Sequence, residues 1–504
     1  MSEHHAVDPR TPVLVGVGTA QRRTAVEAVA GPPVEPVVGP PVEPVDLMVE
    51  AASAALDDAN ARGLVGRLGS VAVPAGNWSY ADPGRLVADR LGATRAATVL
   101  VEIGVPQSAP IRVAAARIAR GELDAALVVG GEAKATQLQL SRAGLEVPET
   151  DQGEVEPDER WSPRSELMAQ AEIDAGIWQP VEQYACIDNA LRHAEGIDVA
   201  THLDEIAALW ERFNRVAATF PDAAFPEPRD AAFLRAAGPG NRPLAFPYAK
   251  WHSTQWAVDQ AGAMVLCSAA VARELGVPVD RWVFPRVLVE SSFGVSLTRR
   301  TELHRWPAMR VLADAAATHM RRPLTEIDHT ELYSCFPAAV RVQQRELGLP
   351  TNGTPTVMGG MAFAGGPFNN FSYQSTAAIV ERLRDAPGTT GMVTTVSGLL
   401  TKPGLAVWST EPGGGALIAD LGDLAAGATA TREVTGEHRG AATVATYTVT
   451  YAADEPSSAF VIADLDDGRR WIGTSDDPDL LHRGIHDGLI GATVQLDRST
   501  CSLA

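Results

Sequence analysis

Apolar and polar positions alternate along this chain in two different rhythms. The run Thr11-Pro12-Val13-Leu14-Val15-Gly16-Val17-Gly18 is apolar and β-branched, and predicts a buried strand. Helical spacing follows over 46–60, with Asp46 placed as its N-cap. The pattern then gives a strand at 70–74, a helix at 83–92 and a strand at 97–102. A turn with an Ala-rich helix over 104–121 and a strand at 123–131 come next. Strands alternating with helices predict an α/β layered domain with a mostly parallel sheet.

Polarity rises near residue 141, and 148–165 is acidic, Pro-rich and without period. Helical spacing dominates 168–220, so 134–252 reads as an inserted, largely helical lobe. An apolar strand returns at 261–267. The second half then repeats the first in outline: a strand at 286–290, a helix opening at Pro307, a strand at 329–333 and a helix at 338–347. Arg345-Glu346-Leu347-Gly348 mirrors Asp89-Arg90-Leu91-Gly92. Strands at 391–396 and 405–408 close this part, which reads as a duplication packed as two related sheets. A glycine-rich stretch over 411–430 reads as a linker. Period-two alternation over 443–451 and 459–463, with the turn signal Asp466-Asp467-Gly468, predicts a small antiparallel barrel. The expected divisions are 1–275, 276–412 and 416–504.

Composition narrows the class. A chain of 504 residues with 45% hydrophobic and 21% charged residues has ample core for several domains. No apolar run is long enough to predict a membrane span, and the N-terminus lacks a signal-peptide pattern. Cys186, Cys267, Cys335 and Cys501 are far apart, which suggests neither a zinc site nor a disulfide framework and fits a cytoplasmic protein. The net charge of −20, with lysine only at 134, 250 and 402, argues against nucleic acid as a partner. Residues 31–37 and 39–45 repeat GPPVEPV, whose proline density predicts an extended surface insertion. His193, His252 and His329, with the pair His4-His5, lack metal-ligand spacing. Gly16-Val17-Gly18 lacks the third glycine of a dinucleotide fingerprint.

The most informative stretch is Gly359-Gly360-Met361-Ala362-Phe363-Ala364-Gly365-Gly366-Pro367-Phe368. Glycine at this density lets backbone approach backbone or ligand closely. The spacing resembles the thiolase motif in which Gly-Gly, four apolar residues and Gly-His-Pro carry a catalytic histidine. Gly366 stands in the histidine slot. Together with the duplicated halves and the helical insertion, the motif makes residues 11–410 similar to the thiolase family, in particular its sterol-carrier-protein type and the actinobacterial thiolase-like proteins.

That resemblance implies a duplicated thiolase fold with an inserted helical loop domain, followed here by a small barrel of the oligonucleotide-binding kind. It implies acyl transfer from a cysteine, with coenzyme A or an acyl-CoA as ligand and a further Cys and His for proton transfer. Counting back along the 104–121 helix places Gly104 in the nucleophile slot, with Ser108 the hydroxyl nearby. Tyr333-Ser334-Cys335-Phe336 matches the third motif, with Tyr333 in place of an oxygen-binding Asn or His. Val396-Ser397-Gly398 matches the last, with Val396 in place of the acid/base cysteine.

The catalytic slots Gly104, Tyr333, Gly366 and Val396 are therefore degenerate, while Ser108, Tyr333, Cys335, Phe336, Gly365 and Gly398 are candidates for substrate contact. Trp251 and Trp256 stand where the family places part of its pantetheine tunnel, and read either as tunnel lining or as packing. The expected function is a thiolase-like protein of lipid metabolism, similar to acetyl-CoA acetyltransferase, that binds a CoA thioester as a monomer or homodimer without the usual chemistry. Two alternatives are a scaffold recruiting a partner through its terminal barrel, and an acyltransferase using Ser108 or Cys335.

Overall fold

The computed structural model describes residues 7–23 and 41–504. Most of the doubled GPPVEPV repeat, and His4 and His5, lie outside the described residues. The repeat's last two residues open the first helix, Pro44–Asp58, whose fixed proline φ suits a first turn. Its cap is Glu43, not Asp46. Asp46 occupies the third helical position, where its Oδ2 accepts from the Glu43 N–H at 3.1 Å.

The first sheet has six strands in the order Pro12–Arg22, Asp259–Ser268, Ala125–Ala133, Leu68–Pro74, Ala97–Val101, Glu159–Trp161. Asp259–Ser268 runs antiparallel to both neighbours, and the other three pairs are parallel. Ala125–Ala133 and Asp259–Ser268 are buried along their whole length because both faces of the sheet are covered, which is why they read as continuous apolar runs. A Cβ on Gly16 or Gly18 would overlap the carbonyl oxygen of Ala55 or Ala51, so the Gly-x-Gly pair serves close packing of the first strand on helix Pro44–Asp58.

The second sheet has five strands in the order His329–Glu331, Thr390–Ser397, Lys402–Ser409, Phe284–Glu290, Leu417–Asp420. Helices Ala109–Ala119 and Phe371–Asp385 pack between the two sheets. Pro44–Asp58 covers the outside of the first and Pro307–Met320 the outside of the second. This is the duplicated α/β arrangement, with parallel pairs prevailing in the first sheet and parallel and antiparallel pairs equal in the second. The glycine-rich stretch is not a linker throughout: Leu417–Asp420 pairs parallel to Phe284–Glu290, and Gly422–Ala428 is helical.

The insertion is helical over Gln170–Ala175, Pro180–Ala194, Val199–Ala217 and Ala231–Arg235, and it also sends Glu159–Trp161 into the first sheet. Beyond it lies a closed barrel of five strands, His438–Ala452, Glu455–Asp464, Arg470–Ser475, Thr493–Arg498 and Thr500–Leu503. Trp471 is wholly buried, its Nε1 donating to the Arg498 carbonyl at 2.8 Å.

The barrel is sewn to the insertion. Asn189 Nδ2 donates to the carbonyls of Phe246 and Tyr447 at 3.1 and 3.0 Å, and Thr446 Oγ1 to that of Cys186 at 2.5 Å. Pro243–Ala245 bridges onto the long barrel strand through Thr450. No helix among the described residues is long and apolar enough to cross a membrane.

Candidate functional site

The turn before the central helix Ala109–Ala119 brings the first slot into place. Gly104 sits at φ +96°, and its carbonyl oxygen accepts from Lys402 Nζ at 2.7 Å. The Gln107 N–H donates to Ser397 Oγ at 2.8 Å, and Gln107 Nε2 donates to the Tyr333 hydroxyl at 3.4 Å. Slots 104, 333 and 396–398 therefore converge on the N-terminus of one helix. Val396 is buried within its strand, and Tyr333 meets Phe371 edge-on at 6.2 Å. Burial pushes the Tyr333 phenol above its ordinary range.

Space at these slots is taken by the chain itself. A Cβ on Gly104 would lie 3.2 Å from Pro163 Cβ and 3.6 Å from Leu167 Cδ1, and one on Gly398 would lie 2.7 Å from Leu167 Cδ2. Leu167, from the insertion, thus fills the gap between the first and last motifs.

Gly365, Gly366, Cys335 and Phe336 gather around the 254–260 segment. A Cβ on Gly366 would overlap Thr254 Cγ2 and lie 3.2 Å from Met361 Cε, so no room is left there for a histidine side chain without rearrangement. Thr254 N and Oγ1 both donate to the Cys335 carbonyl, at 3.0 and 3.2 Å, and a Cβ on Gly365 would lie 2.5 Å from Gln260 Oε1. Burial pushes the Cys335 thiol up to about 12, far from the thiolate a nucleophile needs. Phe336 stacks with Tyr184 at 4.7 Å and Tyr248 at 5.6 Å.

Ser108 Oγ donates to Glu290 Oε2 at 2.8 Å, and Arg112 Nε pairs with the other carboxylate oxygen at 2.8 Å. Burial raises Glu290 above the usual carboxylate range, against the pull of Arg112. Trp251 is buried beneath the Arg229 guanidinium, 3.6 Å from its ring centroid, and its Nε1 donates to the Gly240 carbonyl at 3.1 Å. Trp256 is 48% exposed, with Lys134 Nζ 5.3 Å from its ring. His252 is buried and pushed down to about 4, its Nδ1 accepting from the Ala249 N–H at 3.1 Å. No group of side chains fit to hold a metal occurs among the described residues.

A cleft of ≈ 630 Å³ opens beside Gly104. Gly104, Pro163, Glu290 and Lys402 line it, and Arg112, Arg117, Arg120 and Arg164 add further positive charge. Neither Trp251 nor Trp256 lines it. Arg112, Arg117 and Arg120 are paired with Glu290, Glu159 and Glu122, whereas Arg164 and Lys402 form no ion pair among the described residues. Lys402, Glu290 and Arg112 were not singled out by motif. One signal existed for Lys402: a lone lysine in the otherwise uncharged 396–408 run.

Residues 425–499 match the family model of the thiolase-like protein type 1 additional C-terminal domain. Over 99% of its length the chain superposes on all of a monomeric SCP2-thiolase-like protein type 1 from Mycobacterium smegmatis, with 28% identity and a TM-score of 0.81. The Ltp2–ChsH2(DUF35) aldolase matches 80% of the chain over 99% of its own, with 17% identity and a TM-score of 0.59. An acetyl-CoA acetyltransferase from Syntrophomonas wolfei matches 80% over 100% of its own, with 18% identity and a TM-score of 0.54. No curated protein matches the sequence. The chain has the thiolase-like fold and carries the type 1 additional C-terminal domain.

Proposed function

We propose that this chain binds an acyl-CoA-type thioester in the cleft beside Gly104 and does not carry out thiolysis. The observation that carries the reading is the position of the cleft: its wall is the very residue in the nucleophile slot, and two of its cations, Arg164 and Lys402, form no ion pair among the described residues and suit an anionic ligand. Likeness to an acetyl-CoA acetyltransferase and to an SCP2-thiolase-like protein supports the ligand class. The missing chemistry follows from the residues. Gly104 and Gly366 have no side chain, Val396 cannot titrate, and Cys335 is held as a thiol by burial. Ser108 does not line the cleft, and the carboxylate that receives its hydroxyl is held by Arg112.

Two assays on the same preparation test this. In a thermal-shift series with CoA and short acyl-CoAs, a ligand at about 100 times its Kd adds about 2.7 kcal/mol of stability. Thiolysis of acetoacetyl-CoA stays at background, since losing members of a catalytic unit removes several powers of ten in rate. Turnover at ordinary enzyme rates by homogeneous protein refutes the second half; no shift with any CoA compound refutes the first. We also read the chain as a monomer. The edge of Ala97–Val101 is covered by Glu159–Trp161, which leaves a polar edge of only three residues for another chain to pair with. Light scattering on a size-exclusion column gives one chain per particle if this holds.

A further inference from the structure

We propose that Lys402 recognises an anion at the inner end of the cleft, and that the acyl group taken there ends in a carboxylate. The inference rests on the reading of the cleft as an acyl-CoA site. Lys402 opens the strand Lys402–Ser409 and is 1% exposed, yet it lines the cleft. An ammonium has three N–H donors, and one is used, on the Gly104 carbonyl. Among the described residues no carboxylate pairs with it, and the buried acid of the same cleft, Glu290, is already engaged by Arg112 and Ser108. A desolvated cation without a counter-ion is unfavourable, and burial accordingly lowers the Lys402 pKa. A bound anion removes that penalty.

A second unpartnered donor lies near Lys402, just behind the cleft wall formed by Ser162, Pro163 and Arg164. Ser165 Oγ is buried with no hydrogen-bond partner. A Cβ built on Gly294 would overlap Ser165 Oγ and come within 2.9 Å of Lys402 Cε, so the two side chains approach each other beside Gly294. Unpartnered buried polar atoms are rare in native proteins, and each calls for a reason. One ammonium and one hydroxyl match the two oxygens of a carboxylate. A phosphate carries more charge and suits a planar guanidinium fork, which here Arg164 offers free of an ion pair among the described residues, with Arg117 and Arg120 beside it already held by Glu159 and Glu122. The inner donors are therefore assigned to the acyl end, and the arginines to the nucleotide end.

The test compares three ligands by calorimetry on the full chain: free CoA, butyryl-CoA with a neutral chain, and succinyl-CoA with a terminal carboxylate. Succinyl-CoA is expected to bind about tenfold or more tightly than butyryl-CoA, the size of a charge-assisted hydrogen bond. Lys402→Met is expected to abolish the difference between the two thioesters. Ser165→Ala, which leaves the second sheet untouched, is expected to narrow it, and decides the matter if Lys402→Met does not fold. Equal affinity for the two thioesters, or a preference that survives in both variants, overturns this proposal alone. Succinyl-CoA no tighter than free CoA also overturns it, assigning the recognition to phosphate. No binding of any CoA compound overturns it together with the function proposed above.

Discussion

Gly359→Ala tests why the glycine pair is there. Gly359 sits at φ +100°, and an added Cβ would lie 2.5 Å from Ala217 N and 2.6 Å from Ala217 Cα. The obstacle is the backbone at the end of helix Val199–Ala217, so no rotamer change relieves it. The helix cannot easily retreat, because Phe213 packs beside Gly360 and stacks on Trp210 at 5.3 Å. Two penalties add: a positive φ on a residue with a Cβ, about 1–2 kcal/mol, and overpacking of a close contact, about 1–3 kcal/mol. The expected loss is about 2–5 kcal/mol. Gly348→Ala separates the two, since Gly348 sits at φ +72° with nothing within 4 Å of its added Cβ. It carries the first penalty alone, about 1 kcal/mol. Urea unfolding followed by circular dichroism measures both variants against the parent chain. Equal losses in the two would refute the packing argument and leave the motif as an ordinary turn.

The remaining predictions use other parts of the molecule. Burial pushes Glu331 up to about 7, although its carboxylate accepts from Val357 N at 2.7 Å and Met358 N at 3.1 Å. A carboxyl raised in the folded state contributes stability that is complete below its unfolded value and lost as pH rises through the folded one. From pH 6 to pH 8 the parent chain should therefore lose about 1.3 kcal/mol relative to Glu331→Gln. Buried His202 and His252, both pushed down to about 4, act in the opposite sense in both proteins and cancel in this comparison. A flat difference in urea stability across that range refutes it. Arg341→Met leaves Asp188, which now receives Arg341 Nη1 at 3.1 Å, buried without its cation and with the Tyr248 hydroxyl still donating at 2.7 Å, and should cost about 3–5 kcal/mol; adding Asp188→Asn should recover part of the loss. A chain ending at residue 430 keeps the strand Leu417–Asp420 but strips the barrel from Asn189 and Thr446's partner Cys186, and should aggregate or bind hydrophobic dye. A soluble product with an unchanged melting temperature would make the barrel an independent module.

What could be read in the sequence depended on whether local chemistry or distant pairing decides the structure. The buried strands announced themselves, because a strand covered on both faces must be apolar throughout. The barrel did so by its period of two and the Asp-Gly turn, with Gly468 at φ +86° as that turn requires. Two edge strands did not. Glu159–Trp161 lies in a polar, Pro-rich stretch and Leu417–Asp420 beside a glycine run, and only their partners, Ala97–Val101 and Phe284–Glu290, make them strands. The helix Phe371–Asp385 escaped notice for a different reason. It is buried between two sheets, so it has no polar stripe; Ser375 and Thr376 instead satisfy their hydroxyls on the carbonyls four residues back, at 3.0 and 2.7 Å.

The candidate site divides along the same line. Each motif position could be counted from its neighbours in sequence, and three of them do meet at the start of helix Ala109–Ala119. The cleft is another matter. Its walls come from the 104–122, 159–164 and 290–292 segments with Lys402 and Asp420, brought together only by the packing of the two sheets. Each residue has an ordinary local meaning: arginines along a helix, a proline in a loop, a glutamate at a strand end. The exception is the one whose local meaning fails. A lysine at the start of a buried strand contradicts its surroundings in a chain with two other lysines. A charge kept where burial opposes it signals a partner outside the sequence, and Gly104, which presents a carbonyl but no side chain, leaves most of that ammonium unspent.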